Sequence, residues 1–276
     1  MNTITPTVPQ FDYITTTVKY PALVAGFGAG KTDAAVNRSI IGKIQNPKTD
    51  RGFYAPTYDL IRMIAFPRFE QALEQLGIGY RLYKSPLNYL EITGYGRIYF
   101  RSMDAPHRII GYEHADADVD ELDTMKAEDA AYAWRQIVAR NRQNKEGGAQ
   151  NTIGVTTTPE GFKFVYETWV KDPKEGYEII QASTMSNPHL PEDYVQSLRD
   201  IYPANLLSAY LEGKFVNLHS GTVFNNYDRI ACRSTMTADD STLVRIGMDF
   251  NVTNMSAVAY IVHGDEWHAV NEFKGI

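Results

Sequence analysis

The chain has 276 residues, 43% hydrophobic and 22% charged, with a formal net charge of −6. That length admits one large domain or two medium ones, and the composition is that of a globular protein, neither low-complexity nor strongly biased. No apolar run reaches the ~18 residues of a membrane-spanning helix, the N-terminus predicts no secretory signal, the single cysteine, Cys232, excludes an internal disulfide, and the acidic total argues against a passive polyanion coat while leaving room for a local basic face.

In chain order, residues 1–9 are polar and Pro-containing and predict a mobile arm. A strand at 22–25 runs into a Gly-rich loop and then an amphipathic helix over 32–44. A second strand at 52–55, closed by Pro56, leads into a helix over 59–76. Strands at 89–92 and 97–101 are joined by the turn Gly94-Tyr95-Gly96. Further strands near Val119, at 152–156 and at 178–182, with helices at 126–142 and 192–202, make an alternation that predicts an α/β fold with a parallel, doubly wound sheet. Residues 217–242 are polar and turn-rich and suit a linker. Residues 243–250, 255–263 and 266–273 read as three strands, too few for a core of their own, and so as the incomplete start of a second domain.

The strongest chemical signal is Ala25-Gly26-Phe27-Gly28-Ala29-Gly30-Lys31-Thr32. It fits the phosphate-binding P-loop pattern with Ala25 in place of the first glycine. Gly26, Gly28 and Gly30 let successive N–H groups turn inward toward phosphate oxygens. Lys31 would reach the β- and γ-phosphates, the Thr32 hydroxyl would ligate Mg²⁺, and the helix that starts here adds its positive end.

Such a site needs one carboxylate for the metal and a second to polarise the attacking water. Asp120-Glu121 is the candidate pair, with Asp120 on the metal and Glu121 as the base. Its strand also carries Asp116 and Asp118, which suggests a position at the sheet's margin. His114 lacks companions for a metal site and reads as a polar surface histidine. Lys43, Lys163, Lys171 and Lys174 are basic positions that could meet DNA, solvated surface lysines being the ordinary expectation.

This ordered series resembles the large terminase subunits of tailed bacteriophages over residues 8–276. Gln10-Phe11 lies where that family has its adenine-contacting glutamine, and Tyr54-Ala-Pro-Thr-Tyr58 where it has its second-strand motif. Phe100-Arg101-Ser102 and the segment from Pro106 to Gly111 follow in the family order, then Asp120-Glu121. Thr156-Thr157-Thr158-Pro159 resembles the coupling motif. The stretch from Ser186 to Pro191, with Tyr210 to Phe215 beyond it, is family-specific and reads as a turn, a helix and a strand. The resemblance implies an additional-strand P-loop ATPase domain over 1–216, with a mostly parallel central sheet flanked by helices. It implies the first strands of an RNase H-like nuclease domain over 243–276.

In Gly247-Met248-Asp249-Phe250, Asp249 takes the place of the first nuclease metal ligand. The site is incomplete, Glu272 reading as a surface acid, so no nuclease activity is expected. The implied cofactors are ATP and Mg²⁺. The implied partners are double-stranded DNA, the small terminase subunit and the portal protein, with a homo-oligomeric ring on the portal, no membrane, and a place in the host cytoplasm. Two departures stand out: Phe27 replaces a basic P-loop residue, and Ile110-Gly111 replaces Arg-Gly, leaving Arg101 and Arg108 as alternative sources of an arginine finger. Rival readings are a helicase-like or recombination ATPase, and a degenerate prophage protein that binds nucleotide without turnover.

Overall fold

In the computed structural model of the chain, residues 3–217, 232–250 and 255–274 are described. The chain forms two units, Met1–Ser220 and Gly221–Ile276. The first opens with α1 (Val8–Thr15), β1 (Tyr20–Ala25), α2 (Lys31–Gln45), β2 (Arg51–Ala55), α3 (Tyr58–Leu60) and α4 (Phe66–Leu76). It continues through β3 (Tyr80–Tyr83), β4 (Tyr89–Ile92), β5 (Gly96–Ser102), β6 (Asp116–Asp120), α5 (Ala127–Arg140) and β7 (Ile153–Thr157). It ends with α6 (Phe164–Tyr166), β8 (Tyr177–Ala182), α7 (Tyr194–Ile201) and α8 (Ala204–Glu212).

The eight strands of this unit order as β3-β4-β5-β2-β6-β7-β1-β8. All pairings from β5 to β8 are parallel, while β3 and β4 add an antiparallel edge. Alternation along each strand feeds the two faces of the sheet separately. Val24, Val119 and Val155 pack with Trp134, Ile137 and Trp169 on the side of α5. Phe53, Ile98 and Phe100 pack with Phe66 and Phe69 of α4 on the other.

β6 lies between β2 and β7, inside the sheet and not at its margin. Its sequence Asp-Ala-Asp-Val-Asp sends Ala117 and Val119 into the α5-side core, and leaves three carboxylates on the face that α2 covers. Asp116 and Asp118 tolerate burial because each is paired with cations, while Asp120 is held by hydroxyl hydrogen bonds from Thr32 and Thr156. Asp116 meets Arg51 at 3.6 Å and Lys145 at 2.7 Å. Asp118 meets Arg38 and Arg51 at 2.8 and 2.7 Å.

Several other expectations need correction. His114 is fully buried, not on the surface. Asn141 Nδ2 faces its Nδ1 at 3.3 Å, so the ring proton sits on Nε2 and donates to Tyr54 Oη at 3.0 Å. Burial lowers its pKa to about 3, which keeps it neutral. Lys43 is also buried: its ammonium donates to the carbonyls of Asn46 and Pro47, both at 3.0 Å, and of Thr49, closing the C-terminal end of α2. Val8 and Pro9, expected in the arm, instead open the helix Val8–Thr15, with Thr7 N–H donating to Gln10 Oε1 at 2.8 Å at the helix start. Residues up to Glu212 belong to α8, where a strand was expected, and Gly213 ends it in the left-handed conformation (φ 68°).

The helix expected over 59–76 contains a π-helical turn at Ile61–Ala65. Pro67 follows it and has no N–H to return to the preceding turn. The second unit is a three-stranded antiparallel sheet, ordered β11-β10-β9, of β9 (Arg245–Asp249), β10 (Ser256–His263) and β11 (Glu266–Lys274). Most of the linker stretch, 218–231, lies outside the described residues. Among the described residues no helix is long and apolar enough to cross a membrane.

Candidate nucleotide site

The site forms at the C-terminal ends of the parallel strands, where β1 gives way to α2. Gly28 and Gly30 take left-handed backbone conformations (φ 73° and 80°), which turn the loop back on itself. Gly26 needs its missing side chain for another reason. A Cβ there would lie 2.4 Å from Thr184 Oγ1 and 2.5 Å from the Tyr210 carbonyl. Lys31 is buried, donates to the Gly26 carbonyl at 3.1 Å and stands 3.8 Å from Glu121 Oε1.

One residue further on, Thr32 Oγ1 donates to Asp120 Oδ2 at 2.9 Å. The other Asp120 oxygen accepts from Thr156 Oγ1 at 2.6 Å. Burial first, and then the neighbouring Glu121 carboxylate, push Asp120 up to about 6. Glu121 itself sits just past the strand in a left-handed conformation (φ 52°, ψ 43°). That conformation costs a non-glycine residue on the order of 1–2 kcal/mol. It is held by hydrogen bonds to the neighbouring strand: Glu121 N–H donates to the Thr156 carbonyl at 2.7 Å, and Thr158 N–H donates to Glu121 Oε2 at 3.2 Å.

Thr156 and Thr158 are therefore wired to the acidic pair, and Thr157 to Asp123 just beyond it, rather than arranged as a plain loop. Thr156, Thr157 and Thr158 are all buried. Thr157 Oγ1 accepts the Asp123 N–H at 3.1 Å. Gln10, on α1, donates through Nε2 to the carbonyls of Ala29 and Gly30 at 3.3 and 3.0 Å. It lines a cavity of about 320 Å³ together with Asp33, Arg68, Asn187 and His189. Phe27, where a basic residue was the family expectation, stacks on Tyr210 of α8.

Other candidates lie apart from this cluster. Arg101 places its guanidinium 4.9 Å from the Tyr112 ring centroid and donates to the Phe100 carbonyl at 2.7 Å. Arg108 is exposed on a 3-10 turn, Pro106–Arg108. Among the described residues, no hydrogen bond or ion pair joins either to the P-loop or to the acidic pair. In the second unit, Asp249 ends β9 exposed to solvent, and Glu272 pairs with Lys274 at 3.0 Å. No group of three or more His, Cys, Asp or Glu side chains fit for a metal occurs among the described residues. Lys163 donates to the Asp123 carbonyl at 3.2 Å and Lys171 pairs with Glu167 at 2.6 Å, while Lys174 is exposed.

Sequence reasoning missed the contacts that close over the loop and those beneath it. Asn187 Nδ2 donates to the Gly28 carbonyl at 2.6 Å, and Thr184 Oγ1 donates to the Phe27 carbonyl at 2.7 Å. Arg38, Ser39 and Arg51 gather on Asp118. A helical repeat held the signal for the last group: Ser39 follows Thr32 by seven residues, two turns along one face.

A Gly-rich strand-to-helix loop whose lysine and threonine face an Asp-Glu pair on an interior parallel strand defines a P-loop nucleoside triphosphatase fold. The family described as terminase large subunit, T4likevirus-type, N-terminal, matches residues 22–229. This chain belongs to that family of phage large terminase subunits. The large terminase of a thermophilic bacteriophage superposes with a TM-score of 0.66 at 16% identity, over 98% of this chain and 68% of that one. A second structure of that terminase, in complex with ADP, gives 0.66 at 17% identity with the same coverage. The large terminase ATPase domain of Thermus phage P74-26 gives 0.57 at 18% identity, over 77% of this chain and 94% of that one. At these identities the likeness is one of fold. No curated protein sequence matches the chain.

Proposed function

We propose that this chain hydrolyses ATP with Mg²⁺ and uses the energy to drive double-stranded DNA into a phage procapsid. One observation carries the catalytic part: Thr32 and Asp120 meet at 2.9 Å, while Lys31, one residue before Thr32, and Glu121, one residue after Asp120, face each other at 3.8 Å. A hydroxyl and a carboxylate from facing elements suit Mg²⁺, which takes few protein ligands and completes its shell with water and phosphate oxygens. Thr32 and Asp120 would hold it, and when bound it would supply charge neutralisation at the β- and γ-phosphates.

The chain's own groups then divide the work. Lys31, already oriented by the Gly26 carbonyl, turns its ammonium to the phosphates. Glu121, released from Lys31, accepts the proton of the attacking water. Its backbone is fixed by Thr156 and its carboxylate by Thr158 N–H, so a shift of the γ-phosphate side is passed to β7 and to the segment that follows it. That is the physical content of a coupling role for Thr156, Thr157 and Thr158. Gln10 carries adenine recognition.

The only cation paired with Glu121 among the described residues is Lys31. A transition-state arginine therefore comes from a neighbouring copy in a ring, through Arg101 or Arg108. The portal protein and small subunit complete the assembly in the host cytoplasm. In the second unit, Asp249 takes the place of a first nuclease-metal ligand whose site is incomplete, so this chain is not expected to cut DNA.

The test is ATP hydrolysis by the purified chain with and without Mg²⁺, beside Glu121→Gln and Lys31→Ala, in the presence of DNA. Turnover should fall about 10²–10⁴-fold in Glu121→Gln, with ATP still bound. A Glu121→Gln protein as fast as wild type would remove Glu121 from the reaction. Absence of nucleotide binding to the wild type would end the P-loop reading.

A further inference from the structure

β6 carries a second buried carboxylate that the proposed reaction leaves without a task. Asp118 is fully buried, two residues before Asp120 on the same strand face. From α2, Arg38 Nη1 donates to its Oδ1 at 2.8 Å and Ser39 Oγ donates to its Oδ2 at 2.5 Å. From β2, Arg51 donates to Oδ2 through Nε at 2.9 Å and Nη2 at 2.7 Å. From α1, the Tyr13 hydroxyl reaches Oδ1 at 3.5 Å, and the Arg38 guanidinium lies 5.4 Å from that tyrosine's ring centroid. Arg38 also donates to Thr152 Oγ1 at 2.8 Å, just ahead of β7.

The spacing of these contacts matters more than their number. On α2, Ser39 lies seven residues after Thr32, about 10 Å along the same face. On β6, Asp118 lies about 6.6 Å from Asp120. Helix and strand are thus tied twice, by Thr32 to Asp120 and by Ser39 and Arg38 to Asp118. One contact between two rods leaves a pivot, and a second contact at this distance removes it. Tyr13 extends the tie to α1, the helix that carries Gln10.

We propose that Asp118 is a positioning residue for the metal pair: by clamping α2 to β6 two turns below the P-loop, it holds the Thr32 hydroxyl against the Asp120 carboxylate. The role rests on the reading of Thr32 and Asp120 as the Mg²⁺ pair. It acts on metal-assisted nucleotide binding and leaves the phosphate contacts of the P-loop backbone unchanged.

Asp118→Asn leaves the charges of Arg38 and Arg51 without their shared partner in a buried place, and that variant can fail by unfolding. Ser39→Ala and Arg38→Lys are milder, since each keeps a cation beside Asp118. The experiment measures ADP binding to the full chain by calorimetry, with and without Mg²⁺, after circular dichroism shows each variant folded. Wild type should bind ADP more tightly with Mg²⁺. Each variant should bind ADP without Mg²⁺ within about twofold of wild type, and lose about three- to tenfold of the Mg²⁺ enhancement, the scale of one hydrogen bond. A carboxylate that serves stability alone would lower the melting temperature and leave the enhancement intact, and that result in both variants overturns the inference. A wild type whose ADP affinity ignores Mg²⁺ would instead overturn the metal assignment itself.

Discussion

Phe27 lies face to face with Tyr210, their ring centroids 4.5 Å apart and their planes 21° from parallel. Both peptide groups of Phe27 are also engaged: its N–H donates to the Tyr210 carbonyl at 2.7 Å, and its carbonyl accepts from Thr184. The loop that faces phosphate is therefore gripped from behind by α8. Tyr210→Ala and Phe27→Ala should each destabilise the protein by about 1–2 kcal/mol, and their double-mutant cycle should show a coupling of about 0.5–1.5 kcal/mol. Urea unfolding of the four proteins measures it, and strict additivity would mean the stack contributes nothing of its own.

Gly26 is constrained by space. Its absent Cβ would meet Thr184 Oγ1, the Tyr210 carbonyl and the Leu211 carbonyl at 2.4, 2.5 and 2.9 Å, two of them backbone atoms that cannot swing away. Gly26→Ala should cost about 1–3 kcal/mol by overpacking and weaken nucleotide binding at the same time. Gly111→Ala is the control: its φ of 88° strains a side chain, but nothing lies within 4 Å, so stability falls slightly and nucleotide affinity holds. Equal losses of affinity in the two variants would contradict this account.

Gln10 spends its amide hydrogens on the Ala29 and Gly30 carbonyls, while Oε1 accepts from Thr7 N–H and keeps a lone pair. That lone pair suits the amino group of adenine and opposes the carbonyl of guanine. Gln10→Ala should weaken ATP binding about tenfold, as loss of one or two hydrogen bonds does, and narrow the preference for ATP over GTP. Competition binding of the two nucleotides reads both effects. An unchanged preference would assign Gln10 to the loop alone.

Asp123 is fully buried and accepts the Val165 N–H at 3.0 Å. Burial pushes its carboxyl up to about 6, against the pull of Val165 and Lys163. A carboxyl raised in this way contributes stability below about pH 4, and that contribution is lost as pH rises through about 6. Asp123→Asn removes the titration. The variant's stability relative to wild type should therefore climb between pH 4 and pH 7, by at most on the order of 2–3 kcal/mol. Asp120 titrates in both proteins and drops out of the difference. Urea midpoints across that range decide it, and a flat difference would show that Asp123 does not change charge there.

The legible part of the fold and site was that fixed by local pattern. The P-loop glycines, the apolar β1 and the amphipathic α2 are written in neighbouring residues, and most strands fall where alternation put them. The partners of β6 were not legible, because a run of aspartates reads as solvated until the arginines that neutralise it are known. Arg38 and Arg51 lie 80 and 67 residues from Asp118 in the chain. His114 and Lys43 misled for the same reason: a polar side chain is placed inside by distant acceptors, and its own identity argues for the surface. α8 was hidden by the expectation of a strand, although Leu206, Leu207, Ala209 and Leu211 are good helix formers.

Glu121 takes its aim from peptide groups, the carbonyl of Thr156 and the N–H of Thr158, and from no side chain of either. Evolutionary drift at these positions is therefore unequal. Position 158 can exchange its side chain and still present the same N–H, provided it is not proline. Position 156 is tied down by its hydroxyl, which serves Asp120, and position 157 by the oxygen it offers to Asp123. Distant chains with the same geometry should be sought by two hydroxyls and a free amide, and a search demanding three threonines would pass them over.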